Sequence, residues 1–479
     1  MQTALEGGMG PVAAFGVASN AKAHLAAALA RARQVLFVTA TDTAASQVCE
    51  SVRLFGVRAE LFLPRETPLV YVQAASGERR GARIAALSAL AEGERCVVSA
   101  SAAALMETLA PKRAFCESML SFSTGDAMEP RALAERLMVA GYERVELVEG
   151  SGQFAARGDL VDVYAPGDEY PVRIEFFGDE IDQMRRFDPV SQRSVEQTAA
   201  VALRPALETP QPRERTVRAL KRIAGRAGLA EQEQAWSGGA PSVGGDVLLP
   251  LLYEACDTVT DYLAPDALIV LDEALLVDEA LRTEQLRFAE TVQAMLGRNE
   301  GVPEQGALER SANETLERLH TGRTLLLYAL SRTHPQFPPK EVVSLESRNA
   351  PQYLGSMDEL SRDVIRMNRA GERTLVYAGE QADAVAAGLA EYGAEAEKAA
   401  VQPDEPPAGR TLILSEALSR GFLYPALKYN VLTEYEVFGR TERALRRARG
   451  KKHLLYSELA VGDRSEERRV GKECVRLCR

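Results

Sequence analysis

From Gln153 to Ser194 apolar and polar residues alternate with a period of two. Leu160-Val161-Asp162-Val163-Tyr164 and Val172-Arg173-Ile174-Glu175-Phe176 carry the pattern most clearly. A period of two puts successive side chains on opposite faces of a strand and is incompatible with a helix. Pro166-Gly167-Asp168 lies between the two runs and supplies turn chemistry. The segment is therefore predicted to be a small antiparallel sheet. Its cargo is unusual, because arginines and a Phe176-Phe177 pair lie on adjacent strands.

The flanks follow a different rule. Residues 1–117 alternate short apolar runs with helical periodicity. Strands are predicted at Val35–Val38, Ala59–Leu63 and Arg95–Val98, with helices over Thr43–Phe55 and Gly81–Ala91. Strand–helix alternation predicts a parallel sheet covered on both faces. Residues 118–208 break that rule with one helix, Pro130–Ala140, followed by short alternating strands. They read as an inserted α+β module ending at the Pro-rich exit Glu208–Pro212. Residues 209–343 return to helices around two buried strands, Leu268–Leu271 and Thr324–Tyr328. Gly238–Pro241 reads as a loop within them. Residues 344–440 form a further small α/β unit with strands at Thr374–Tyr377, Thr411–Leu414 and Asn430–Thr433, and Pro403–Pro407 as a loop. Residues 441–463 are a basic linker and its continuation, and 464–479 are a highly charged tail set aside from the fold.

Charge and cysteines narrow the function classes. A net charge of −11 argues against general binding to the phosphate backbone. No apolar run approaches the roughly 18 residues of a membrane span, and the N-terminus lacks the pattern of a secretion signal. Cys49, Cys96, Cys116, Cys256, Cys474 and Cys478 are scattered, the usage of a reducing cytoplasm. Cys474 and Cys478 have CxxxC spacing without a second pair, so no zinc site is expected. His24, His320, His334 and His453 have no ligand spacing and read as solvated or capping residues.

Two segments have the outline of nucleotide chemistry. Gly16-Val17-Ala18-Ser19-Asn20-Ala21-Lys22-Ala23 stands where a GxxxxGK[ST] phosphate loop would stand. Gly16 and Lys22 are present, but Ala21 replaces the second Gly and Ala23 replaces the magnesium-holding hydroxyl. Asp272-Glu273 ends an apolar strand as an acidic magnesium motif does, and Ala274-Leu275 follows. A live nucleotide site and a relic loop that merely starts a helix are the two readings, and the lost hydroxyl favours the relic. No catalytic residue, metal or cofactor is expected.

The Gln153–Ser194 wording resembles the UvrA-docking module of bacterial nucleotide excision repair, found in the helicase-like UvrB and in transcription-repair coupling factors. Three features favour the coupling-factor family. The phosphate loop is degenerate. The segment Pro64–Arg83 is too short for UvrB's DNA-clamping hairpin. Tyr456–Asp463 resembles the opening of the coupling factor's RNA polymerase-interacting domain. The resemblance implies an α/β fold made of a degenerate, helicase-like parallel-sheet domain, an inserted α+β docking module and a second small α/β domain. It implies a non-catalytic adaptor that recruits UvrA to stalled RNA polymerase. Arg157, Arg173 and Phe177 would be the UvrA contacts, and Gly16, Lys22, Asp272 and Glu273 relics of the nucleotide site. RNA polymerase and DNA would be engaged through C-terminal domains that this chain lacks, and no membrane is involved. The alternative is an ATP-dependent, UvrB-like helicase or damage-binding subunit.

Overall fold

The computed structural model describes residues 7–8, 10–65, 77–209, 219, 245–299, 301–330, 333–403 and 405–439. The Pro210–Pro212 part of the exit, the loop at Gly238–Pro241 and everything from Arg440 onward lie outside the described residues.

Seven strands form one wholly parallel sheet. Their order is Glu341–Ser344, Val12–Phe15, Thr324–Tyr328, Leu268–Asp272, Val35–Thr39, Val97–Ser101 and Ala59–Phe62. Most of these strands are buried along their length, as a sheet covered on both faces requires. One face packs against the helices Gly77–Ala91, Ala274–Gly297 and Ala312–Leu319 through Leu36, Val38, Ile84, Leu281 and Leu316. The other face covers Val35 and Phe37 with the helices Ser19–Ala30 and Asp42–Leu54. The strand at Val97–Ser101 starts later than the apolar pattern suggests. Ser99 is tolerated in the interior because its Oγ donates to the Ala45 carbonyl at 2.8 Å.

The insertion leaves and rejoins this sheet at one place, where Leu120–Ser123 pairs antiparallel with Ala200–Leu203. Between them lies a six-stranded sheet ordered Ser194–Gln197, Glu180–Phe187, Val172–Phe177, Leu160–Val163, Gln153–Arg157 and Glu143–Arg144. All pairs except the short last one are antiparallel. Phe154, Val161, Val163, Val172, Ile174, Phe176 and Ile181 face the helix Pro130–Val139 and meet Leu133 and Leu137 there. Beyond the ribbon the exit is clamped. Arg83, 1% exposed, donates to both oxygens of Glu208 at 2.5 and 2.8 Å and lies 2.8 Å from Glu107.

The third sheet is mixed. Tyr429–Thr433, Arg373–Tyr377, Thr411–Leu414 and Glu397–Ala399 are parallel, and Phe422–Tyr424 adds antiparallel to Tyr429–Thr433. Its Leu375, Tyr377, Phe422 and Val431 belong to the same apolar cluster as Ala21, Ala26 and Phe55 of the first unit. The expected α/β class, inserted antiparallel module and second α/β sheet are all present.

Two histidines depart from expectation. His24 is only partly exposed, and its ring lies 5.0–5.7 Å from those of Phe55, Phe422, Tyr424 and Tyr429. His334 is 3% exposed, and its Nε2 lies 3.1 Å from Asp278. Both rings are amphipathic enough to serve as packing material once their nitrogens are accommodated.

Candidate interaction surface

The antiparallel sheet has one covered face and one face turned outward. Along Val172–Phe177 burial alternates strictly, so Val172, Ile174 and Phe176 point inward and Arg173, Glu175 and Phe177 outward. The double Phe is thereby split. Phe176 is 6% exposed and belongs to the core, whereas Phe177 is 84% exposed. Phe177 stands opposite Glu180 across the two-residue turn Gly178-Asp179, in which Gly178 takes φ +66°. The neighbouring hairpin turns in the same way at Gly158-Asp159, with Gly158 at φ +56°. Positive φ at the first turn position is the role glycine fills without steric cost in tight hairpins.

Arg157 precedes that second turn and is exposed. Its guanidinium donates to the Glu146 carbonyl. The register places Arg157 beside Leu160, and Leu160 beside Glu175. Arg157 and Glu175 therefore lie two strands apart on one face, roughly 10 Å at the usual strand spacing. Glu175 is in turn ion-paired with Arg185. Arg157, Arg173 and Phe177 thus share the outer face, with Arg157 and Phe177 at its turn end.

Arg173 sits further down the same strand in a more enclosed setting. Its Nε and Nη2 donate to the two oxygens of Asp162 at 2.7 and 2.8 Å, a side-on bidentate pair across the ladder. Nη2 also donates to Gln192 Oε1 at 3.1 Å, and the guanidinium carbon lies 4.5 Å above the Phe187 ring. The Asp162 hydrogen bonds raise the Arg173 pKa above its ordinary value. Asp162 and Gln192 are participants that the sequence pattern did not single out. Asp162 becomes visible only when the strand register is known, and Gln192 arrives from a turn after the next strand.

Lys22, Asp272 and Glu273 are also together, with Gly16 on the loop that leads to Lys22. Lys22 is 6% exposed. Its Nζ contacts Asp272 at 2.5 Å and Glu273 at 2.9 Å. Burial alone would lower the Lys22 pKa, but the two carboxylates outweigh it and hold the pKa above the usual lysine value. Gly16 takes φ +74°, and its carbonyl accepts from Ser347 Oγ at 2.9 Å. The same Oγ accepts from the Ala18 amide at 2.6 Å, and Tyr424 Oη donates to the Ala21 carbonyl at 3.1 Å. Ala21 and Ala23 are buried in the shared apolar cluster. The third sheet thus presses on the loop through which a nucleotide's phosphates would enter.

A family model described as "UvrB interaction domain" matches residues 120–208, the inserted module. The transcription-repair-coupling factor of Bacillus subtilis is 28% identical over 483 residues, covering 94% of this chain and 40% of the relative. The chain is a homologue of the N-terminal region of transcription-repair-coupling factors. The coupling factor of Myxococcus xanthus is 38% identical over 215 residues, 42% of this chain and 18% of its own length. That of Escherichia coli is 37% identical over 128 residues, 27% of this chain and 11% of its own. The chain thus spans about two fifths of the coupling factors it matches along most of its length. Among the described residues, no helix of this coupling-factor homologue is long and apolar enough to cross a membrane, and no cluster of three or more His, Cys, Asp or Glu could hold a metal ion.

Proposed function

We propose that this coupling-factor homologue is a non-catalytic adaptor that presents its inserted sheet to UvrA in transcription-coupled nucleotide excision repair. The observation that carries the reading is an exposed aromatic, Phe177, on the outer face of the module that matches the interaction-domain family. An 84%-exposed phenylalanine at a hairpin turn adds nothing to the core behind it and costs solubility unless a partner covers it. Arg157 and Arg173 on the same face provide cations for carboxylates on that partner. Aromatic and arginine side chains are the residue types that concentrate binding energy in interfaces. Contacts with RNA polymerase and DNA belong, on this reading, to portions of the coupling factors outside the aligned stretch.

The test is a titration of purified UvrA with the 479-residue chain, without nucleotide. Wild type should bind. Phe177→Ala should weaken binding by at least about 2 kcal/mol, roughly thirtyfold. Its melting temperature should not move, because the side chain is exposed. A folded Phe177→Ala variant that binds UvrA like wild type would remove the sheet from the interface.

A further inference from the structure

The geometry around Arg173 points to a more specific role for its neighbour, and this inference rests on the docking reading above. We propose that Gln192 is an internal stand-in for a carboxylate of the partner, holding one edge of Arg173 until docking displaces it.

A guanidinium offers five N–H groups in a planar fork, and an arginine can bind two carboxylates at once along two of its edges. In Arg173 the Nε–Nη2 edge is taken by Asp162, with both bonds at normal charge-assisted length. The remaining donors are the second N–H of Nη2 and the two of Nη1. The Nη2 donor goes to Gln192 Oε1 at 3.1 Å, longer than either Asp162 bond. Among the described residues Nη1 has no hydrogen-bond partner. The Nη1–Nη2 edge is therefore half filled, by a neutral amide where the fork best fits an anion. The Phe187 ring beneath fixes the plane of the fork, and Asp162 fixes its rotation. A partner carboxylate would meet an edge already aimed.

Gln192 is placed in a way that suits a removable group. It lies in the turn from Asp188 to Arg193, where the Asp188 amide donates to the Arg193 carbonyl at 2.9 Å. Its backbone has φ +58°, a region that side-chain-bearing residues occupy at a cost. Its amide nitrogen is held by the carbonyls of Pro189 at 2.8 Å and Val148 at 3.4 Å, so only its oxygen faces the arginine. The side chain is half-buried, and nearby Val190 is exposed, so the turn is accessible from outside. An amide oxygen is a weaker acceptor for a guanidinium than a carboxylate, so exchange for a carboxylate is favourable at this edge. Arg173 then bridges an internal carboxylate and an external one.

The experiment compares variants of the full chain against UvrA, with melting temperature as the fold control. Gln192→Ala opens the edge, so affinity should stay equal or rise by a few-fold. Gln192→Glu fills the edge with a tethered anion, so affinity should fall at least tenfold. In an Arg173→Lys background, which keeps a charge for Asp162 but has no planar edge, exchanging Gln192 for Glu should change affinity by less than twofold. That coupling is a readout a merely structural glutamine would not produce. The proposal is overturned if Gln192→Glu binds like wild type, if Gln192→Ala loses affinity, or if the Glu effect persists without Arg173. Phe177→Ala in the same assay separates the two levels. If it also binds normally, the docking face itself is misassigned; if it weakens binding while Gln192→Glu does not, only the stand-in role fails.

Discussion

At the scale of single residues, Lys22 fills a structural role. In a working loop its ammonium would meet phosphates, whereas here it meets Asp272 and Glu273. Lys22→Ala leaves those carboxylates facing each other. Breaking a buried pair from one side costs about 3–5 kcal/mol. Asp272 and Glu273 keep some contact with water, so the loss should sit near the lower end of that range in urea denaturation. ATP with magnesium should not raise the melting temperature of wild type. A nucleotide-dependent rise that Lys22→Ala abolishes would show a live site. The departures of Ala21 and Ala23 from the phosphate-loop pattern are plain in the sequence. The partner of Gly16 and Ala18 is not, because Ser347 is more than three hundred residues away in the chain.

At the scale of elements, the joint between the inserted module and the parallel sheet depends on a buried charge cluster. Arg83, on the helix Gly77–Ala91, grips Glu208 at the module's exit and Glu107 beyond the strand Val97–Ser101. Burial would raise the Glu208 pKa, but Arg83 and Arg65 overcome it and hold the carboxyl at about 2, below its ordinary 4.5. A carboxyl depressed on folding contributes stability above its unfolded pKa, and that stability is lost as pH falls towards the folded value. Wild type should therefore lose up to about 3 kcal/mol from this group between pH 4.5 and 2. Arg83→Met should lower stability at pH 7 by about 3–5 kcal/mol. It should also flatten the acid slope in that window, and an unchanged slope would place the acid sensitivity elsewhere. Most elements were legible because their periodicity is local. Thr324–Tyr328 and Thr411–Leu414 fall where their apolar runs predict, and the placement of Arg173 and Phe177 on one face follows from the period of two. The strand Val97–Ser101 was less legible because its serines interrupt the apolar run, and the partner that accommodates Ser99, the Ala45 carbonyl, comes from a distant helix. The partition of Phe176 and Phe177 between core and surface needed the direction of the pleat, which composition does not supply.

At the scale of the whole molecule, the first and third units share an apolar cluster with His24 at the seam. Burial, with the Arg31 charge adding to it, lowers the His24 pKa to about 4 from an ordinary 6.5. Between those values the unfolded chain binds the proton and the folded one does not, so stability falls as pH drops from 6.5 towards 4. Partial exposure of the ring limits the loss to about 2–3 kcal/mol. His24→Phe should remove that part of the pH dependence, measured as the urea midpoint from pH 7 to 4; an identical slope in the variant would clear His24 of the effect. The ladder between Val35–Thr39 and Leu268–Asp272 joins residues on either side of the whole insertion. A ribosome adding about 5–20 residues per second needs on the order of ten seconds or more to make that stretch. During that interval the half-built parallel sheet waits with its central edge unpaired, while the module, its ends already tied by Leu120–Ser123 and Ala200–Leu203, can complete its own core. The order of synthesis thus lets the insertion finish its core before its host, whose sheet closes only after the return strands emerge.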